Sequence, residues 1–201
     1  MQRAHRLLSI AVLTCLSASA FAATTYTTSA SFMAQVAPGA YSENFNSWVT
    51  DPPAGALVFS SGGFTYSAFA VDDLYLSAGF LGTSQINKAL TLTFTSGNVT
   101  AVGANFFALN ISDAFQAVSV TITLSDGTVS TFTPTSMADS FRGFTSSTPI
   151  TSLTFSAPGQ SLYASLDNLT VGVAAVPEPA NWALTALGLA GVIAARRRKV
   201  A

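Results

Sequence analysis

The chain has 201 residues, of which 49% are hydrophobic and 8% charged, and its formal net charge at pH 7 is −1. That charge is unevenly placed: between residues 24 and 175 only Lys88 and Arg142 stand against eight acidic residues, a balance of −6, which repels phosphate backbones and excludes nucleic acid as a partner. The single histidine, His5, and the single cysteine, Cys15, both fall near the start, so the rest of the chain has no histidine-based triad, thiol chemistry, disulfide or Cys/His zinc site.

At the N-terminus, Arg3, His5 and Arg6 precede an apolar stretch over residues 7–16 and a small-residue run over 18–23. This pattern predicts a secretory signal peptide, residues 1–22, cleaved after Ala22 within Ala20-Phe21-Ala22. Cys15 lacks the small residue that precedes a lipidated cysteine and leaves with the peptide. The domain that remains, about 150 residues without a disulfide, is large enough to stand on its own core.

Residues 31–36 predict one short helical turn capped by Ser31. Glu43-Asn44 follows, near the first core strand, and Trp48 lies in the turn-rich segment 46–53. An aromatic strand over 64–69 carries Tyr66, and a second over 74–76 carries Tyr75. Between them the adjacent acids Asp72 and Asp73 would point to opposite faces of a strand, which predicts a turn or an edge gatekeeper rather than a metal site. Alternation of period two continues over 90–95, 118–124, 129–132 and 166–171, with Thr or Ser opposite apolar residues, as in strands with one buried face. Gly62-Gly63, Ser96-Gly97-Asn98, Asp126-Gly127 and Pro158-Gly159 punctuate these runs, and Asp126-Gly127 is the strongest hairpin signal. The fold class is therefore all-β: a single two-sheet β-sandwich of jelly-roll type over residues 23–173, its interior filled by phenylalanine.

The chain closes with three features a folded domain does not use. A linker, residues 174–181, contains Pro177, Glu178 and Pro179; an apolar run follows over 182–195; and a basic tail, 196–201, holds Arg196, Arg197, Arg198 and Lys199. The run is shorter than the roughly 20 residues of an ordinary spanning helix, but snorkelling arginines let it cross a thin membrane. The basic cluster then stays in the cytoplasm and everything before it lies outside. In order and spacing this tail resembles the PEP-CTERM sorting signal of Gram-negative bacteria. The resemblance implies an exosortase as partner, a transient inner-membrane anchor through the C-terminal helix, and delivery to the cell surface or extracellular matrix. It also implies an association with extracellular polysaccharide and biofilm.

For the sandwich itself the sequence predicts a non-catalytic glycan-binding or structural module. Trp48, Tyr66, Tyr75 and Tyr163 are the candidate sugar platforms, because Tyr and Trp tolerate half-wet positions better than Phe. Asp113, in a loop after Asn110, is a further candidate for glycan contact. Residues 166–171 resemble the closing strand of jelly-roll carbohydrate-binding modules, which implies a structural calcium held by Asp167 and Asn168 with Glu43 from the other end of the chain. No cofactor is required otherwise. Two alternatives stand beside this expectation: a glycoside hydrolase or lyase that works with carboxylates alone, and a surface protein that assembles with copies of itself.

Overall fold

The computed structural model describes residues 22–48, 55–77, 79–157, 159 and 161–175. The N-terminal peptide, the Pro177-Glu178-Pro179 motif, the run over 182–195 and the basic cluster lie outside the described residues. Within them the chain forms strands β1 (Thr24–Tyr26) and β2 (Tyr41–Glu43), with helix α1 (Ser29–Met33) between the two. Next come β3 (Leu57–Ser61), β4 (Phe64–Ala70), β5 (Leu74–Ser77), β6 (Phe80–Thr83), β7 (Leu90–Phe94) and β8 (Ala101–Leu109). The last are β9 (Phe115–Gln116), β10 (Val120–Leu124), β11 (Val129–Phe132), β12 (Phe141–Thr145), β13 (Ser152–Ser156) and β14 (Tyr163–Gly172). They build two antiparallel sheets, an eight-stranded one in the order β1-β12-β8-β14-β6-β5 with β2 and β9 attached, and a six-stranded one in the order β11-β10-β13-β7-β4-β3. The expected all-β sandwich is the fold.

The hairpin expected at Asp126-Gly127 joins β10 to β11, with Thr123 opposite Val129 and Gly127 at φ 86°. Gly62 and Gly63, at φ 60° and 84°, turn β3 into β4 in the same way. Both turns place glycine in the left-handed region that side chains disfavour. Asp72 and Asp73 also form a turn, at φ 63° and 80°; Asp72 pairs with Lys88 at 3.2 Å and Asp73 accepts a hydrogen bond from the Gly55 amide.

Between the sheets, Val102, Ala104, Phe106 and Ala108 of β8 and Ala164 and Leu166 of β14 meet Tyr66, Leu92, Ile122 and Phe155 from the six-stranded sheet. Each fully buried large side chain of this kind contributes roughly 1.5–3 kcal/mol. The outer face of the six-stranded sheet carries hydroxyls instead: Thr91, Thr154 and Thr123 lie in one cross-strand row, ended by the exposed Phe69 and Val129.

Two local features depart from the sequence-based expectation. The helix starts earlier and ends at Met33, and its cap is Thr28, not Ser31: Thr28 is extended (φ −131°, ψ 144°) and its hydroxyl accepts from the Ser31 amide. Four of the five residues from Thr27 to Ser31 carry hydroxyls, so capping chemistry alone did not single out one of them. Docking chooses the position, because it puts Phe32 against Phe141 of β12 (rings 5.7 Å apart) and closes the outer face there. In β14 a bulge interrupts the register between Asp167 and Thr170, with Asn168 at φ 52°. The extra residue lets Leu166 and Leu169, three positions apart, both face the core.

Candidate functional site

The outer face of the eight-stranded sheet is covered by α1 at one end and open at the other. A cross-strand row lies at the open end: Tyr75 of β5 pairs with Gly82 of β6, Gly82 with Ser165 of β14, and Ser165 with Phe107 of β8. Gly82 makes the row concave. A Cβ there would lie 2.6 Å from Ser165 Oγ, so the glycine leaves room that any other residue would fill.

Around this row Tyr75, Phe80, Thr83, Asn110, Asp113, Tyr163 and Ser165 line a pocket of about 130 Å3. Pockets for drug-sized ligands hold roughly 300–1,000 Å3, so this one suits a single ring or chain end. Its parts are fixed. Asn110 Oδ1 accepts from the amides of Ser112 (2.9 Å) and Ala114 (3.0 Å), which shapes the loop so that Asp113 Oδ2 accepts from the Tyr75 hydroxyl at 3.1 Å. Tyr75 also packs on Phe80, with ring centroids 5.8 Å apart. Ser165 is buried, and its hydroxyl has no hydrogen-bond partner among the described residues. Ile111, 82% exposed, stands at the rim.

Phe107 links this row to a polar groove lined by Asn105, Asp139, Asp167 and Asn168. Asn168 donates to Asp167 Oδ2 (2.9 Å) and to Asn105 Oδ1 (3.3 Å), and Asn105 donates onward to the Met137 carbonyl. The two acids are shifted in opposite directions. Burial raises the Asp167 pKa, tempered by the Asn168 amide. Hydrogen bonds from the Thr135 hydroxyl and amide and from the Ser136 amide hold Asp139 well below the usual carboxylate range, at about 2.

Of the aromatic candidates, the structure brings Tyr75 and Tyr163 together and separates the other two. Tyr66 has no exposed surface; it stacks on Phe59 at 4.8 Å inside the sandwich, and burial, then Tyr41 and Glu43, push its hydroxyl pKa far up. It offers no platform to a sugar, because a period-two strand with aromatics at 64 and 66 turns both inward. Trp48 is half-buried against Phe59, with rings 5.3 Å apart. Of the expected cation ligands, Glu43 and Asn168 line one groove with Asn105 and Thr170, and Asp167 lines the adjoining groove with Asn168. Glu43 pairs with Leu169, whose side chain is in the core, whereas Asp167 pairs with Asn105 on the outer face. Glu43 accepts from the Tyr41 hydroxyl (2.8 Å) and the Phe45 amide (2.9 Å), and burial, then this contact, raises the Tyr41 pKa to about 12. Among the described residues no group of three or more His, Cys, Asp or Glu side chains converges on one point.

The sandwich ends where the tail begins: Ala174 bridges Val36, and the Ala175 amide donates to the Gln35 carbonyl at 2.8 Å. From that point residues 175–199 match the family model of the PEP-CTERM protein-sorting motif. The chain carries a PEP-CTERM sorting signal. It is therefore an exosortase-targeted exported protein addressed to the cell surface. No curated protein and no solved structure matches the chain. What the sandwich ahead of this signal does is thus argued from its own residues. Asn105, Asn110, Asp139 and Ser165 were not anticipated from sequence; Asn110 alone left a signal, since an Asn two residues before a Ser-Asp pair favours a turn.

Proposed function

We propose that this exosortase substrate is a non-catalytic glycan-binding protein of an extracellular polysaccharide matrix, and that the Tyr75–Tyr163 pocket receives one sugar residue or chain end. The carrying observation is the pocket's composition: two tyrosines for the ring faces, a carboxylate set by the Tyr75 hydroxyl, and the unpartnered Ser165 hydroxyl at its floor. A buried hydroxyl without a partner is unfavourable by about 1–3 kcal/mol, which a ligand hydroxyl would offset. Before processing, the run over 182–195 holds the chain in the inner membrane. Calorimetric titration of the secreted protein against the host's own exopolysaccharide tests the reading, run in calcium and again in chelator to show whether a cation belongs to the site. Saturable binding weakened about tenfold by Tyr163→Ala is expected. Absence of heat, or unchanged binding by that variant, would overturn it.

One observation favours a second reading. Asp139 and Asp167 line the same groove with pKa values pushed apart, the division of labour of a carboxylate-only glycosidase. Against it, both Asp139 oxygens accept from its own loop. Release of reducing ends from the same polysaccharide, abolished by Asp167→Asn, would decide for the enzyme.

A further inference from the structure

The backbone nitrogen of Ala23 has two acceptors on the turn between β10 and β11: Asp126 Oδ2 and Thr128 Oγ1, each at 3.0 Å. A peptide N–H carries one hydrogen and serves two acceptors only by sharing it. An α-ammonium carries three, with a positive charge that matches the carboxylate. The acceptors are positioned independently of that nitrogen, because Asp126 Oδ1 accepts from the Thr128 amide at 2.8 Å. Other cations do not compete among the described residues: Lys88 pairs with Asp72, and Arg142 stacks over Phe132. Across the sheet Thr145 faces Thr24, so Asp126 is the titratable side chain at this nitrogen. The register leaves one residue, Ala23, between β1 and the turn. An added residue would carry the amino group past the acceptors, and a shorter chain would not reach them.

We propose that export cleaves the Ala22–Ala23 bond and that the new α-ammonium of Ala23 docks on Asp126 and Thr128, locking β1 to the hairpin of the other sheet. In that hydrolysis water adds hydroxide to the Ala22 carbonyl and a proton to the Ala23 nitrogen, which takes a second proton at neutral pH. The inference rests on the signal-peptide pattern and is independent of the glycan pocket.

The test begins with the intact mass and N-terminal sequence of the exported protein, which should start at Ala23. The α-amino pKa, followed by pH-dependent amine labelling, should lie above the ordinary value of about 8 and fall in Asp126→Asn, which keeps an acceptor for the Thr128 amide. A raised pKa stabilises the folded state below the unfolded value and ceases to do so as pH rises through the folded one. The melting-temperature gap between wild type and Asp126→Asn should therefore be present at about pH 6 and close in alkali. A glycine inserted before Ala23 should remove the gap with Asp126 intact. A mature chain that starts elsewhere, or equal α-amino pKa values in wild type and Asp126→Asn, would overturn the proposal.

Discussion

The ring of Phe32 lies directly over Gly143: a Cβ on that glycine would come within 2.5 Å of the Phe32 Cγ and Cδ2 atoms. The contact docks α1 on β12, and it leaves no room for a methyl group. Gly143→Ala should cost about 1–3 kcal/mol through overpacking, read as a lower urea midpoint at unchanged slope. Wild-type stability would mean that the helix is not docked there.

Tyr66 and Phe59 stack in the core, yet only the phenylalanine is fully satisfied. Tyr66→Phe removes a buried hydroxyl without a partner among the described residues and should be neutral or slightly stabilising. Phe59→Ala should lose about 3–5 kcal/mol. Chemical denaturation of both variants distinguishes a packing role from a hydrogen-bonding one at position 66.

Asp139 and Asp167 should leave opposite marks on stability against pH. The lowered pKa of Asp139 contributes stability above the ordinary carboxylate range that is lost as pH falls toward about 2, so Asp139→Asn should flatten the acid limb of the melting curve. Asp167 binds its proton more tightly when folded, so its contribution falls as pH rises through the raised value. Asp167→Asn should raise the melting temperature at neutral pH and converge with wild type in acid. A melting temperature lowered at neutral pH by Asp167→Asn in calcium, but not in chelator, would instead assign that carboxylate to a bound cation.

In the sorting signal, replacement of Pro177 and Pro179 by alanine removes the two residues whose fixed φ and missing N–H define the motif. An uncleaved, membrane-retained precursor is the expected product. The C-terminal mass of any released protein checks it, and normal release would remove the two prolines from the recognition step.

How far the fold could be read depended on how local its causes were. The hairpin at Asp126-Gly127 was legible because the turn chemistry and the flanking alternation lie together within residues 118–132. Strand β8 was not: its apolar residues break the period of two, since α1 covers Ala101 and Gly103 on the outer face while Phe80 packs against Phe107. A strand buried on both sides carries no polar alternation to detect. The pocket was half legible. Tyr75, Tyr163 and Asp113 were candidates by residue type, but Ser165 carries no signal until a bare Gly82 is set beside it.

By itself the sequence determined the C-terminal sorting address, the absence of histidine and cysteine from the sandwich, and the strand character of its alternating runs. Each of these is written in contiguous residues or in composition. Tertiary structure alone decided which side chains meet. Pairing register placed Tyr75 and Tyr163 around one pocket, and it set Glu43 opposite Leu169, whose side chain is in the core, and Asp167 opposite Asn105 on the outer face. The bulge at Asn168 carries much of that decision, because one extra residue in a period-two strand exchanges every later side chain between faces.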